Sequence, residues 1–212
     1  MITKGYDALL FETRGAGESD GGHQTLANLE SRDVLGAYDF MKGRGYRPHA
    51  LTVFGTSMGG AATIEAAPGL ADVGAIIADS SFADLGPILA QQWSQTTLLP
   101  GSSDIVGVSI ARLFDVNPDL RPAAVVRSLR NRAFLLFHAQ GDDLIPVAQA
   151  HELANASANP GTVLYITSGA AHQQTFVIDP TLYMERVYSF IDSQLGIGNT
   201  APTDPGRSRS LP

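Results

Sequence analysis

Cysteine is absent from all 212 residues, which removes disulfides, thiolate nucleophiles and Cys-ligated metals together. No apolar run approaches the roughly 20 residues that a bilayer-spanning helix needs. The first six residues show no charged-then-apolar leader pattern, so no membrane span is expected and a cytoplasmic protein is the default reading. Basic charge is also scarce: 14 Lys and Arg stand against 21 Asp and Glu, a net charge of -7, with no basic cluster before residue 197. That balance argues against a nucleic-acid partner. Cofactor signatures fail on single residues. Gly15 and Gly17 open a dinucleotide-like pattern whose sixth position is Asp20 instead of glycine, and His151-Glu152 lacks the second histidine of a zinc helix, which is Asn155. No Gly-Lys-Ser/Thr phosphate loop occurs, so neither metal nor cofactor is expected.

What is present is a folding composition, 44% apolar and 17% charged. Residues 1–196 are long enough for one domain, while 197–212 lack periodicity and large apolar side chains and are expected to be a disordered tail. Short, near-continuous apolar runs at 6–11, 51–54, 73–78, 133–138 and 162–166 predict buried strands. Helical patterns lie between them. Leu26, Leu29, Val34, Ala37, Tyr38 and Met41 make one stripe, interrupted only by Asp33. A final helix is expected with Asp179 as cap, Pro180 at its first position, a stripe of Met184, Val187, Tyr188, Ile191 and Leu195, and Gly196 as its stop. This alternation predicts an α/β fold, a mostly parallel sheet with helices on both faces, whose chemistry lies at the carboxyl ends of the strands. Residues 81–132 break the rhythm with apolar helical stretches at 85–93 and 105–114, and read either as a helical cap over the site or as ordinary packing helices.

The second predicted strand runs into Gly55-Thr56-Ser57-Met58-Gly59-Gly60 and then a small-residue helix. With 22 glycines the bare G-x-S-x-G pattern is modest evidence, but its strand-turn-helix context marks a nucleophile elbow. A Cβ at Gly55 or Gly59 is expected to clash in such a turn, and the helix start places the Met58 N–H where it can stabilise an oxyanion. A serine nucleophile needs a base and an acid to orient it. His172, in the loop after the last predicted strand, is the candidate base and is expected on a flexible, exposed segment. His138 reads as a packed core residue, His23 and His49 as surface loop residues, and His151 as part of a helix. Asp142 and Asp143 follow the fourth strand, one expected to be buried against His172 and the other solvated. Asp79, after the third strand, is a rival acid. The order Ser57, Asp142, His172 is the one this architecture uses. Trp93 reads as core packing or as the wall of an acyl pocket.

Several stretches together resemble the α/β-hydrolase family, especially its serine aminopeptidase-like and dienelactone hydrolase-like bacterial members. They are Gly5-Tyr-Asp-Ala-Leu-Leu-Phe, Arg14-Gly-Ala-Gly-Glu-Ser, Gly55-Thr-Ser-Met-Gly-Gly, Ala78-Asp-Ser-Ser-Phe, His138-Ala-Gln-Gly-Asp-Asp-Leu-Ile-Pro and Gly169-Ala-Ala-His. The resemblance implies that the acid, four residues before Pro146, is Asp142 in preference to Asp143 and Asp79. It implies hydrolysis of an ester, thioester or small amide of a small-molecule or acyl substrate, without cofactor. It also implies an amino-terminally truncated form: the family places three strands before the one expected at 6–11, with an oxyanion loop after the third. That third strand would lie between the 6–11 and 51–54 strands. Without it, the sheet is expected either to show a gap there or to pair those two strands directly, with an apolar edge open to self-association. A catalytically silent remnant that keeps the fold for binding or assembly is the competing reading.

Overall fold

Strand positions follow from which residues can be buried on both sides at once. In the computed structural model, which describes residues 4–96, 109 and 112–196, four parallel strands form one sheet in the order β1 (Thr52–Thr56), β2 (Ala75–Asp79), β3 (Leu135–Ala139) and β4 (Val163–Thr167). Every residue of β2 and β3 is buried, as their unbroken apolar sequence demands, whereas β1 and β4 are only partly covered and form the edges. The two-residue period of a strand sorts side chains between two cores. Ile76, Ala78 and Leu136 face one core with α1 (Glu30–Gly43), α2 (Met58–Ala66), α4 (Pro122–Ser128) and α5 (Val147–Ala156). Ala75, Ile77, Leu135 and Phe137 face the other, which is closed by Tyr183, Val187, Phe190 and Ile191 of α7 (Pro180–Leu195). Between these elements lie α3 (Leu85–Thr96) and the single turn α6 (Thr175–Ile178). Helices therefore cover both faces, as the alternation of segments predicts.

Parallel register brings all four carboxyl ends to one side. Thr56 pairs with Asp79, Asp79 with Phe137, and Ala139 with Thr167. The residues that follow each strand thus meet along one rim.

The strand expected at 6–11 does not form. This segment is irregular, with Leu10 93% exposed, because a strand exists only where a neighbour accepts its hydrogen bonds and none of the described residues supplies one. Between it and the outer edge of β1 lies an apolar cleft of about 220 Å³, lined by Leu9, Phe11, Tyr38, Met41, Val53 and Tyr188 among others. The gap, and not direct pairing with β1, is what the structure shows. Tyr6 is nevertheless anchored, stacked on Tyr188 with ring centroids 5.8 Å apart and donating to Asp192 at 3.3 Å.

Helix boundaries differ from expectation at α1. Leu26 and Ala27 have φ of 53° and 80°, outside the helical region, so the helix starts only at Glu30. Thr25 directs this start: its N–H and hydroxyl donate to the fully buried Glu30 carboxylate at 2.5 and 2.7 Å, and its Oγ1 accepts the Leu29 N–H at 2.8 Å. Asp33 interrupts the apolar stripe because it holds Arg14 in a two-pronged ion pair, 2.6 Å at its shortest. The last helix agrees with its sequence signals, Asp179 accepting from Leu182 N–H at 2.9 Å and Gly196 ending it at φ 65°. Its buried face is centred on Tyr183, Val187, Phe190 and Ile191, with Met184, Tyr188 and Leu195 at the margin. The stretch 105–108 and the tail 197–212 lie outside the described residues, and no described helix is long and apolar enough to cross a membrane.

Candidate active site

The turn from β1 into α2 forces Ser57 into φ 52°, ψ -122°, a conformation that side chains other than glycine's rarely adopt. Gly55 makes the turn possible, since a Cβ there would lie 2.2 Å from the Gly59 carbonyl oxygen. Gly59 is different. A Cβ at that position meets nothing within 4 Å, so the expected clash at Gly59 is absent, and the second crowded glycine is Gly60, 3.1 Å from Ser81 Cβ. The Ser57 N–H donates to the Asp79 carbonyl at 2.8 Å, and the Ala61 N–H closes the first helical bond onto Ser57 at 3.1 Å. The Met58 N–H is therefore the first at the helix start that is free of both bonds, in the region where backbone donors have no intrahelical carbonyl.

Three side chains from three strand ends meet at Ser57. Ser57 Oγ lies 2.8 Å from His172 Nε2, and His172 Nδ1 lies 2.7 Å from Asp142 Oδ2. The carboxylate can only accept, so the Nδ1 position carries the proton and Nε2 presents its lone pair to the serine hydroxyl. Asp142 has no exposed side-chain surface; its other oxygen accepts the Leu144 and Ile145 N–H groups at 3.1 and 2.8 Å. Asp143, its neighbour, is exposed. His138 is wholly buried, with Nε2 2.8 Å from the Ile145 carbonyl and 3.4 Å from Asp142 Oδ2, so it braces the turn that carries Asp142. His23, His49 and His151 are exposed.

The His172 side chain is 16% exposed, Gly169, Gln173 and Gln174 around it are exposed, and the loop is tied by Gln174 N–H to Ala171 O at 3.1 Å and by Gln173 N–H to Ser80 Oγ at 3.3 Å. Asp79 does not reach the histidine; its carboxylate accepts from Ser80, Thr175 and Tyr183. Gln173 and Thr175 carry no recognisable sequence signal, whereas Asp79 and Ser80 fall in the Ala78-Asp-Ser-Ser-Phe stretch with nothing in it to show these partners. Burial, followed by the Asp79 charge, raises the Tyr183 hydroxyl well above the usual tyrosine range. Trp93 sits half-buried on α3. No group of His, Asp and Glu among the described residues is arranged to hold a metal ion.

Neither a family model nor a curated protein matches this sequence. Solved structures do. An esterase of Pyrococcus furiosus superposes with a TM-score of 0.72 at 22% identity, covering 92% of this chain and 74% of its own. An α/β hydrolase from a Penicillium species gives 0.67 at 20% identity, covering 88% and 79%. A non-heme bromoperoxidase homologue of Mycobacterium tuberculosis gives 0.61 at 17%, covering 87% and 80%. The chain thus has the α/β-hydrolase fold.

Proposed function

We propose that the protein is a serine hydrolase that cleaves an ester, thioester or small amide bond through an acyl-Ser57 intermediate. The observation that carries this reading is the unbroken relay from Ser57 Oγ through His172 to Asp142, 2.8 and 2.7 Å long. In the first step His172 Nε2 takes the Ser57 proton as Oγ attacks the carbonyl carbon, and the Met58 N–H stabilises the oxyanion. The imidazolium, held by Asp142, then returns the proton to the leaving group as its bond to carbon breaks. Water repeats the sequence, freeing the acid and restoring Ser57. Esterases among the structures of similar fold support an ester over an amide. The sequence resemblance supports a small-molecule acyl substrate of the kind handled by serine aminopeptidase-like and dienelactone hydrolase-like proteins.

The competing reading, a silent remnant that keeps the fold for binding, is favoured by one observation: the cleft beside β1, where none of the described residues supplies a neighbouring strand. The family that the sequence resembles carries its oxyanion loop after a strand at that place, and loss of one oxyanion donor typically costs about 3 kcal/mol of transition-state stabilisation. Stopped-flow hydrolysis of p-nitrophenyl esters separates the two. The enzyme reading expects a burst of about one nitrophenolate per chain, removed by Ser57→Ala. Turnover indistinguishable from the Ser57→Ala variant, for short and medium acyl chains alike, supports the remnant.

A further inference from the structure

Asp79 ends β2 as a buried carboxylate whose partners are all hydroxyls. Ser80 Oγ donates to its Oδ1 at 2.9 Å, Tyr183 OH to its Oδ2 at 2.9 Å, and Thr175 Oγ1 to the same oxygen. Its main chain reaches the nucleophile, for its carbonyl accepts the Ser57 N–H at 2.8 Å. Its side chain reaches the loop that carries His172, through Ser80 and Thr175. Ser80 Oγ accepts the N–H of Gln173, the residue after His172, at 3.3 Å, and Thr175 lies two residues further along the same loop. Gln173 Nε2 also approaches Thr56 Oγ1, at 3.5 Å, beside Ser57.

Backbone geometry at these points is costly. Ser80 and Gln173 hold φ of 52° and 59°, left-handed values that persist only where surrounding contacts over-determine them. The Ser80–Gln173 hydrogen bond joins these two residues to each other. A buried carboxylate is also an inefficient way of filling space, because an apolar side chain of similar volume often stabilises a fold as well or better. What it supplies instead is direction: three donors fixed on one group.

We infer that Asp79 is the positioning residue of His172, its side chain fixing residues 173–175 through Ser80 and Thr175 while its carbonyl fixes Ser57. One residue of β2 then sets the distance between nucleophile and base. This rests on reading Ser57 and His172 in those roles.

Asp79→Asn and Thr175→Val test it, with Val187→Ala as a control that weakens the core behind β2 while removing no hydrogen bond of the network. Four readouts are needed: melting temperature, the rate of Ser57 labelling by a fluorophosphonate, kcat and KM for an ester, and the proton NMR line of His172 Nδ1. A base displaced by a fraction of an ångström predicts that both network variants lower kcat and labelling rate about tenfold, with KM within about twofold. The Nδ1 line should move or broaden with them. Val187→Ala should lower the melting temperature at least as far while leaving kcat and the line in place. Should Asp79→Asn not fold, Thr175→Val decides. Unchanged rates and an unchanged line in a folded Thr175→Val chain overturn the inference, as does a Val187→Ala variant that reproduces the loss. If the unmodified chain neither labels nor hydrolyses, the hydrolase reading fails, and the Nδ1 line alone decides: displaced in Thr175→Val, it upholds the positioning role; unmoved, it overturns it.

Discussion

A serine at the start of a helix ordinarily turns its hydroxyl onto a nearby helical N–H, yet Ser57 makes no such bond and its Oγ lies 2.8 Å from His172 Nε2 instead. At this scale much could be read from the sequence. Asp142 is buried and Asp143 exposed, and His138 is a core residue. The Asp79 network could not be read, because its bonds to Thr175 and Tyr183 join residues 96 and 104 positions apart, and neither partner belongs to a motif. Glu65 was equally silent. Its Oε1 is buried without a hydrogen-bond partner among the described residues, and burial pushes the carboxyl up to about 7 from an ordinary 4.5. A folded pKa above the unfolded one means that the folded chain holds this proton more tightly. The contribution to stability is therefore fully present below about pH 4.5 and is lost as pH rises through about 7. Glu65→Gln should raise the melting temperature by a few degrees near pH 8 and change it little near pH 4. Thermal melts across that range check this, and an equal shift at both ends would contradict it.

At the scale of elements, apolar runs located four of the five expected strands, β2 and β3 because burial on both faces leaves an unbroken run, and the partly covered edges β1 and β4 because their runs are nearly as continuous. The fifth, 6–11, has the same composition and stays irregular, since strand formation depends on a neighbour that composition does not report. Asp33 looked like a flaw in the α1 stripe and is instead one half of an ion pair with Arg14. Glycines are the other lesson, since the G-x-S-x-G pattern treats two of them alike where the turn does not. Gly55→Ala places a methyl 2.2 Å from a backbone oxygen and should destabilise the fold by about 2 kcal/mol or more. Gly59→Ala meets nothing, and alanine is the better helix former, so the fold should be unchanged or slightly more stable. Urea denaturation of both variants measures this, and equal losses would contradict the geometry described.

For the whole molecule, the parallel register carries the argument: strand ends far apart in sequence arrive on one rim, and Ser57, Asp142 and His172 meet there. The relay assembles although an apolar cleft lies beside β1, its three side chains carried on the segments that follow β1, β3 and β4. We propose that this assembled relay makes Ser57 a nucleophile. Covalent labelling of the purified chain by a fluorophosphonate probe, with the adduct located by peptide mass, tests it most directly. The account predicts one adduct per chain at Ser57, abolished by Ser57→Ala and slowed by at least about a thousandfold in His172→Ala. A folded chain that takes up no probe, or that labels elsewhere as readily as at Ser57, would contradict it.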